Sequence, residues 1–80
     1  MSILLHILSP EGTLVKTDVE SVSLPGAVSP FMVLKDHGAM VSALVAGDIV
    51  YRQEGREERL AIREGFVEVR DNVVSVCVEV

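Results

Sequence analysis

What this 80-residue chain has little of already narrows its chemistry. It holds a single cysteine, Cys77, so no internal disulfide can staple it. With His6 and His37 as its two histidines, it falls short of the roughly four Cys and His ligands a structural zinc site takes. Seven Lys and Arg stand against twelve Asp and Glu, a formal net charge of −5. That sign disfavours sequence-independent binding to nucleic acid, whose affinity comes from cations neutralising phosphates, and disfavours anionic lipid surfaces likewise. No apolar run approaches the roughly 20 residues that cross a bilayer, and Ile3 to Leu8 is too short for a signal-peptide core and contains His6. The expectation is a cytosolic protein that meets a membrane, if at all, through a partner.

No Gly-x-Ser-x-Gly elbow surrounds Ser9, Ser21 or Ser42, and no glycine-rich phosphate loop occurs. Linkers, low-complexity tracts and internal repeats are missing too. What the chain does have is apolar content, 49% of its residues with a mean hydropathy of +0.41. That suits one compact domain over residues 1–80, at a size where folding buries only about 60% of the surface.

Turn signals divide this apolar content into short strands. Ile3 to Leu8 closes on Ser9-Pro10-Glu11-Gly12; Thr13 to Thr17 follows, then Val19, Val22 and Leu24. Alternation is approximate there, as where strands bend between two sheets or carry a bulge. Phe31 to Leu34 and a run after Gly38 flank the polar turn Lys35-Asp36-His37-Gly38. Gly38 to Ala46 has some helical content, but glycine at its start and a Val-Ser-Ala interior weaken that reading. Glu54-Gly55 predicts a hairpin between Ile49–Arg52 and Arg59–Ile62. Asp71-Asn72 predicts a second between Phe66–Val69 and Val73–Val80, with Val67, Val69, Val74, Val76, Val78 and Val80 on inner faces. Closely spaced strands without a helical stripe make the fold class all-β, a sandwich or flattened barrel of two mostly antiparallel sheets.

Single residues read plainly. His37 beside Asp36 is a polar loop residue, since no third catalytic group accompanies it. Lys35 sits in a turn, as the modified lysine of lipoyl and biotinyl carrier domains does, yet Leu34 and Asp36 flank it in place of the carriers' Met or Ala. The mixed charges from Arg52 to Arg59 describe a solvated hairpin tip. Cys77, among valines, reads as a small core or strand residue.

The order Leu24-Pro25-Gly26, an aromatic with Val33-Leu34, a loop histidine, and then Gly65-Phe66-Val67-Glu68-Val69 before Asp71-Asn72-Val73-Val74 resembles the epsilon subunit family of F-type ATP synthases. The resemblance runs over nearly the whole chain. It implies a sandwich of about ten strands, no active site and no cofactor of its own. It also implies a central-stalk role, linking the gamma subunit to the membrane rotor ring of c subunits in ATP synthesis driven by proton or sodium flow. The expected location is peripheral, on the cytoplasmic face of the bacterial inner membrane. Carried over by position, Ala27, Val28, Ser29 and Pro30 with Lys35, Asp36, His37 and Gly38 are the ring-facing residues. Exposed apolar positions around the Val67–Val76 hairpin are candidates for the gamma contact. The family's usual Pro-Gly-His-Ala-Pro turn is replaced here by Lys35-Asp36-His37-Gly38-Ala39, with Gly38 keeping access to positive φ. Family members usually continue into a helical hairpin that restrains ATP hydrolysis; a chain ending at Val80 is expected to lack that brake. A free-standing β-sandwich adaptor or carrier is the alternative reading.

Overall fold

A computed structural model describes residues 2–80. Nine strands form there: β1 (Ile3–Ser9), β2 (Gly12–Val19), β3 (Ser21–Leu24), β4 (Phe31–Val33), β5 (Met40–Leu44), β6 (Gly47–Gln53), β7 (Arg56–Ile62), β8 (Glu64–Arg70) and β9 (Val73–Glu79). They make a five-stranded sheet, β2-β1-β9-β8-β5, and a four-stranded sheet, β4-β3-β6-β7. Every pairing is antiparallel except that of β1 with β9. The sandwich matches the expected fold class with nine strands, close to the ten implied; Gly26 pairs with Leu44 only as an isolated bridge.

Alternation sets the core. Along β8 and β9, Val67, Val69, Val74, Val76 and Val78 turn inward and are buried, joined by Ile3, Leu5 and Ile7 of β1. From the four-stranded sheet come Val22, Leu24, Val33, Ile49 and Ile62. Each such aliphatic side chain, taken from water, stabilises the fold by about 1.5–3 kcal/mol. Val80 stands outside β9 and is exposed, unlike its expected inward place. Cys77 is a strand residue, but it lies on the outer face and is not core.

The turns explain the hairpins. Glu54 and Gly55 have φ of 51° and 76°, and Asp71 and Asn72 have 51° and 62°. Two consecutive positive φ values are the type I′ geometry that matches strand twist, which Gly, Asn and Asp adopt at least cost. The loose alternation between Leu8 and Leu24 also has a cause. The β1–β2 register shifts between Ile7 and Leu8, and the chain passes from one sheet to the other at Glu20, between β2 and β3.

Gly38 to Ala46 contains β5 and no helical turn. β4 and β5 belong to different sheets, so the Lys35–Gly38 loop crosses between layers and closes no hairpin.

Candidate functional site

Four strands are sheet edges, and they are guarded unequally. β2 carries Lys16 and Asp18, and β7 carries Arg56, Glu57, Glu58 and Arg59. Arg59 pairs with Glu57 at 3.0 Å and Asp48 at 3.4 Å, and Arg52 with Glu57 at 3.7 Å, all half-exposed, as a solvated hairpin tip should be. Charges of this kind keep an edge from recruiting other strands. The other two edges, β4 and β5, contain no charged residue. They are consecutive in sequence, and the chain leaving β3 meets the end of β5 where Gly26 bridges Leu44, with the Ala27 amide donating to the Ala43 carbonyl and the Val45 amide to that of Pro25.

Both edges have exposed apolar side chains nearby, but on opposite outer faces: Met32, paired with Ser23, faces out of the four-stranded sheet, and Val41, paired with Glu68, out of the five-stranded one. Val28 is 98% exposed, Val41 72%, Met32 54% and Leu34 53%. Sequence reasoning assigned none of Met32, Leu34 or Val41 to a site, because an apolar residue in a short strand reads as core; the usable signal was the shortness of the Phe31–Leu34 run between Pro30 and Lys35, which suits an edge.

The expected ring-facing residues fall into two loops at opposite ends of β4. Ala27, Val28, Ser29 and Pro30 form an exposed loop ahead of it. Gly26 sits beneath that loop, buried, with room for hydrogen only: a Cβ there would come within 2.5 Å of the Ser29 carbonyl oxygen and 2.9 Å of the Phe31 ring. Phe31 is half-buried and packs on the core rim.

Lys35, Asp36, His37 and Gly38 follow β4. The His37 amide donates to the Leu34 carbonyl at 3.2 Å, closing a turn in which Asp36 takes φ of 64°. Positive φ at that third position is what a type II turn requires. The expectation placed this freedom on Gly38, but Gly38 has an ordinary φ and Asp36 supplies the left-handed residue. His37 is half-buried, and its Nδ1 donates to the Gly38 carbonyl at 2.7 Å, leaving Nε2 as acceptor in the neutral ring. Lys35 Nζ reaches Asp36 Oδ2 at 3.1 Å. Asp36 also bonds Asn72, and that hydrogen bond, with Lys35's bond and charge after it, holds the Asp36 carboxyl below the ordinary aspartate range.

The structure thus brings Lys35, Asp36 and His37 into one ordered turn and leaves Ala27–Pro30 apart from it, with β4 between. What the two loops and β4 present is hydrogen-bonding groups, one ion pair and an apolar rim. Among the described residues no group of three His, Cys, Asp or Glu is placed to hold a metal ion. A second apolar feature lies on the outer face of the five-stranded sheet, where Leu8, Cys77, Phe66 and Ala43 form one cross-strand row. Around the Val67–Val76 hairpin Val67, Val69, Val74 and Val76 face the core, Val73 is half-buried on the other face, and Phe66 is the large apolar residue left exposed, at 52%.

Against known proteins, residues 2–80 match the family described as the ATP synthase delta/epsilon chain β-sandwich domain. The ATP synthase epsilon chain of Desulfitobacterium hafniense is 39% identical over 72 residues, covering 90% of this chain and 54% of that protein. The epsilon chain of Aliarcobacter butzleri is 39% identical over 75 residues, 94% of this chain and 60% of that one. The chain therefore spans little more than half the length of these curated relatives. In solved structures, a chain of the Euglena gracilis mitochondrial ATP synthase OSCP/F1/c-ring assembly superposes with a TM-score of 0.90 at 22% identity, over 96% of this chain and 50% of that one. A chain of the Tetrahymena thermophila central stalk/c-ring assembly gives 0.83 at 14% identity, over 100% of this chain and 65% of that one. At those identities the likeness is one of fold.

Proposed function

We infer the role of this chain from one premise: it belongs to the ATP synthase delta/epsilon family of β-sandwich domains, matched over residues 2–80. The reading that fits best is a non-catalytic central-stalk subunit of an F-type ATP synthase, seated between the gamma subunit and the membrane rotor ring. It would transmit torque from ion flow by rigid coupling. On this reading the protein is peripheral, held at the cytoplasmic face of a bacterial inner membrane by its partners.

The observation that carries the proposal is the unequal guarding of the edges. β2 and β7 are charged, whereas β4 is uncharged and exposes Met32, with Leu34 after it and Val28 in the loop ahead. A contact strip with an apolar centre and polar ends suits a partner surface of the same make-up. We assign Ala27–Pro30 and Lys35–Gly38, with Met32 and Leu34 between, to the ring contact. The Phe66 row, on the outer face of the five-stranded sheet that Val41 shares, is the candidate for gamma. Binding to a stalk already attached to the ring makes a modest ring contact effective, because the second encounter is intramolecular.

The test substitutes Met32→Lys and Leu34→Lys, both at exposed positions, and measures association separately with gamma and with gamma-bearing rings. Ring attachment should fall by at least about tenfold, the scale of forcing a charge into an apolar contact, with gamma binding retained. Equal loss of both, or of neither, refutes the assignment.

A further inference from the structure

Asn72 occupies the second central position of the β8–β9 turn with φ of 62°, and turn chemistry alone accounts for an asparagine there. Its side chain does something the turn does not need. The carboxamide oxygen accepts the Asp36 backbone amide at 2.6 Å, and Nδ2 donates to Asp36 Oδ1 at 3.2 Å. The orientation of the carboxamide follows from its partners, since an amide N–H requires the oxygen and a carboxylate requires the nitrogen. The Asn72 backbone carbonyl meanwhile accepts the Leu4 amide at 2.9 Å, at the start of β1. One residue therefore ties a loop 36 positions away to two strands of the five-stranded sheet.

We propose that Asn72 is the positioning residue of the Lys35–Gly38 loop: a two-point clasp that fixes the loop to the β8–β9 turn and sets the direction in which Lys35 and His37 project. The inference rests on the ring-contact reading for its functional consequence, though not for the clasp itself. The loop is exposed and leaves β4, a strand of three residues, so its own backbone supplies little restraint. Within it, the His37–Leu34 turn bond and the His37–Gly38 bond are both local. The clasp is its long-range tie, and it bonds the left-handed residue on which the turn depends. A loop held in its bound shape loses less conformational freedom on docking and passes force without first yielding. Asn72 touches no partner in this scheme; it acts through Asp36.

The substitutions that test this keep the turn. Asn72→Gly gives an Asp-Gly pair, a preferred type I′ turn, so the fold stays while both clasp bonds are lost. N72D keeps the oxygen but sets two carboxylates against each other. The exchanged pair D36N/N72D re-forms both bonds with the carboxamide on the loop side, at positions where either residue tolerates positive φ. Amide hydrogen exchange by NMR in the 80-residue chain should rise about tenfold at Asp36 and His37 in N72G, the size one net hydrogen bond carries. Amides of Val67 and Val76 should not change, and the exchanged pair should return the loop to within about twofold of the parent. Unchanged loop exchange in N72G, or no recovery in D36N/N72D, overturns the clasp. Ring attachment measured on the same variants should fall in N72G and recover in the exchanged pair. A loosened loop with full attachment leaves the clasp standing and refutes the ring reading instead.

Discussion

Gly26→Ala is the smallest change that should disturb the candidate contact strip, and its size follows from the packing beneath the Ala27–Pro30 loop. The added Cβ would lie 2.5 Å from the Ser29 carbonyl oxygen and 2.9 Å from two carbons of the Phe31 ring. To reach even a tight contact of 3.0 Å the carbonyl must retreat by 0.5 Å, and it is backbone, not the end of a flexible side chain. The neighbouring chain resists, because the Gly26 amide bonds the Leu24 carbonyl and the Ala27 amide bonds that of Ala43. Overpacking of this kind costs about 1–3 kcal/mol. The lost freedom of the unfolded chain offsets about 0.4–1 kcal/mol of that. A net loss of about 1–2 kcal/mol lowers Tm by roughly 5–15 °C for a domain of this length. Gly38→Ala is the internal control: a Cβ there meets nothing within 4 Å and φ is ordinary, so Tm should rise by a few degrees. Thermal unfolding followed by circular dichroism gives both values, and the Phe31 ring resonances report whether the loop has moved. A Gly26→Ala chain that melts with the parent, its Phe31 signals unshifted, would refute the claim that this glycine holds the loop down.

Two further outcomes are expected. Gln53 Nε2 donates to Thr17 Oγ1 at 2.6 Å in a part-buried contact between β6 and β2, one strand from each sheet. Thr17→Val keeps strand propensity and removes the acceptor, so chemical denaturation should show a loss of about 1 kcal/mol, and no loss would mean that Gln53 finds water at no cost. The Asp36 carboxyl is held below its ordinary value near 3.8, first by the Asn72 hydrogen bond and then by Lys35. A depressed folded-state value contributes stability that is present above the unfolded value and is lost as pH falls through the lowered one. A carboxyl-carbon NMR titration should therefore place Asp36 below ordinary aspartate in the parent and move it upward in Asn72→Gly; identical titrations would remove Asn72 as the main cause.

Local order was legible in the sequence, and long-range order was not. Glu54-Gly55 and Asp71-Asn72 announced the two hairpins because a type I′ turn needs residues that accept positive φ, a requirement visible in two letters. Val67, Val69, Val74 and Val76 announced their inward faces by alternation. Cys77 shows where that signal stops: in Val73–Glu79 both faces carry apolar residues, and only the register against Leu8 and Phe66 shows that Cys77 faces outward. Likewise nothing in Phe31–Leu44 distinguishes a hairpin from a crossing between sheets, since a six-residue connection serves either. The location of the candidate loops was readable through resemblance. Their anchoring was not, because the Asp36–Asn72 pair joins residues 36 apart and each has a local reason to be where it is.

The β8–β9 hairpin brings these features onto one mechanical element. Its turn holds the Lys35–Gly38 loop through Asn72, and four residues along β8 from Arg70 its outer face presents Phe66 beside Cys77. At about 3.3 Å per residue that separation is roughly 13 Å, well within one strand. Its inner face supplies Val67, Val69, Val74, Val76 and Val78 to the core, so the hairpin cannot shift without disturbing both sheets. Close-packed interiors are stiff and transmit displacement rather than absorb it. A coupling subunit that must pass force between two partners needs such an element more than it needs strong binding at either end. On the proposed role, this explains why the Lys35–Gly38 loop of the candidate contact is fastened to the turn of one of the most deeply built-in hairpins, and not to its own short strand.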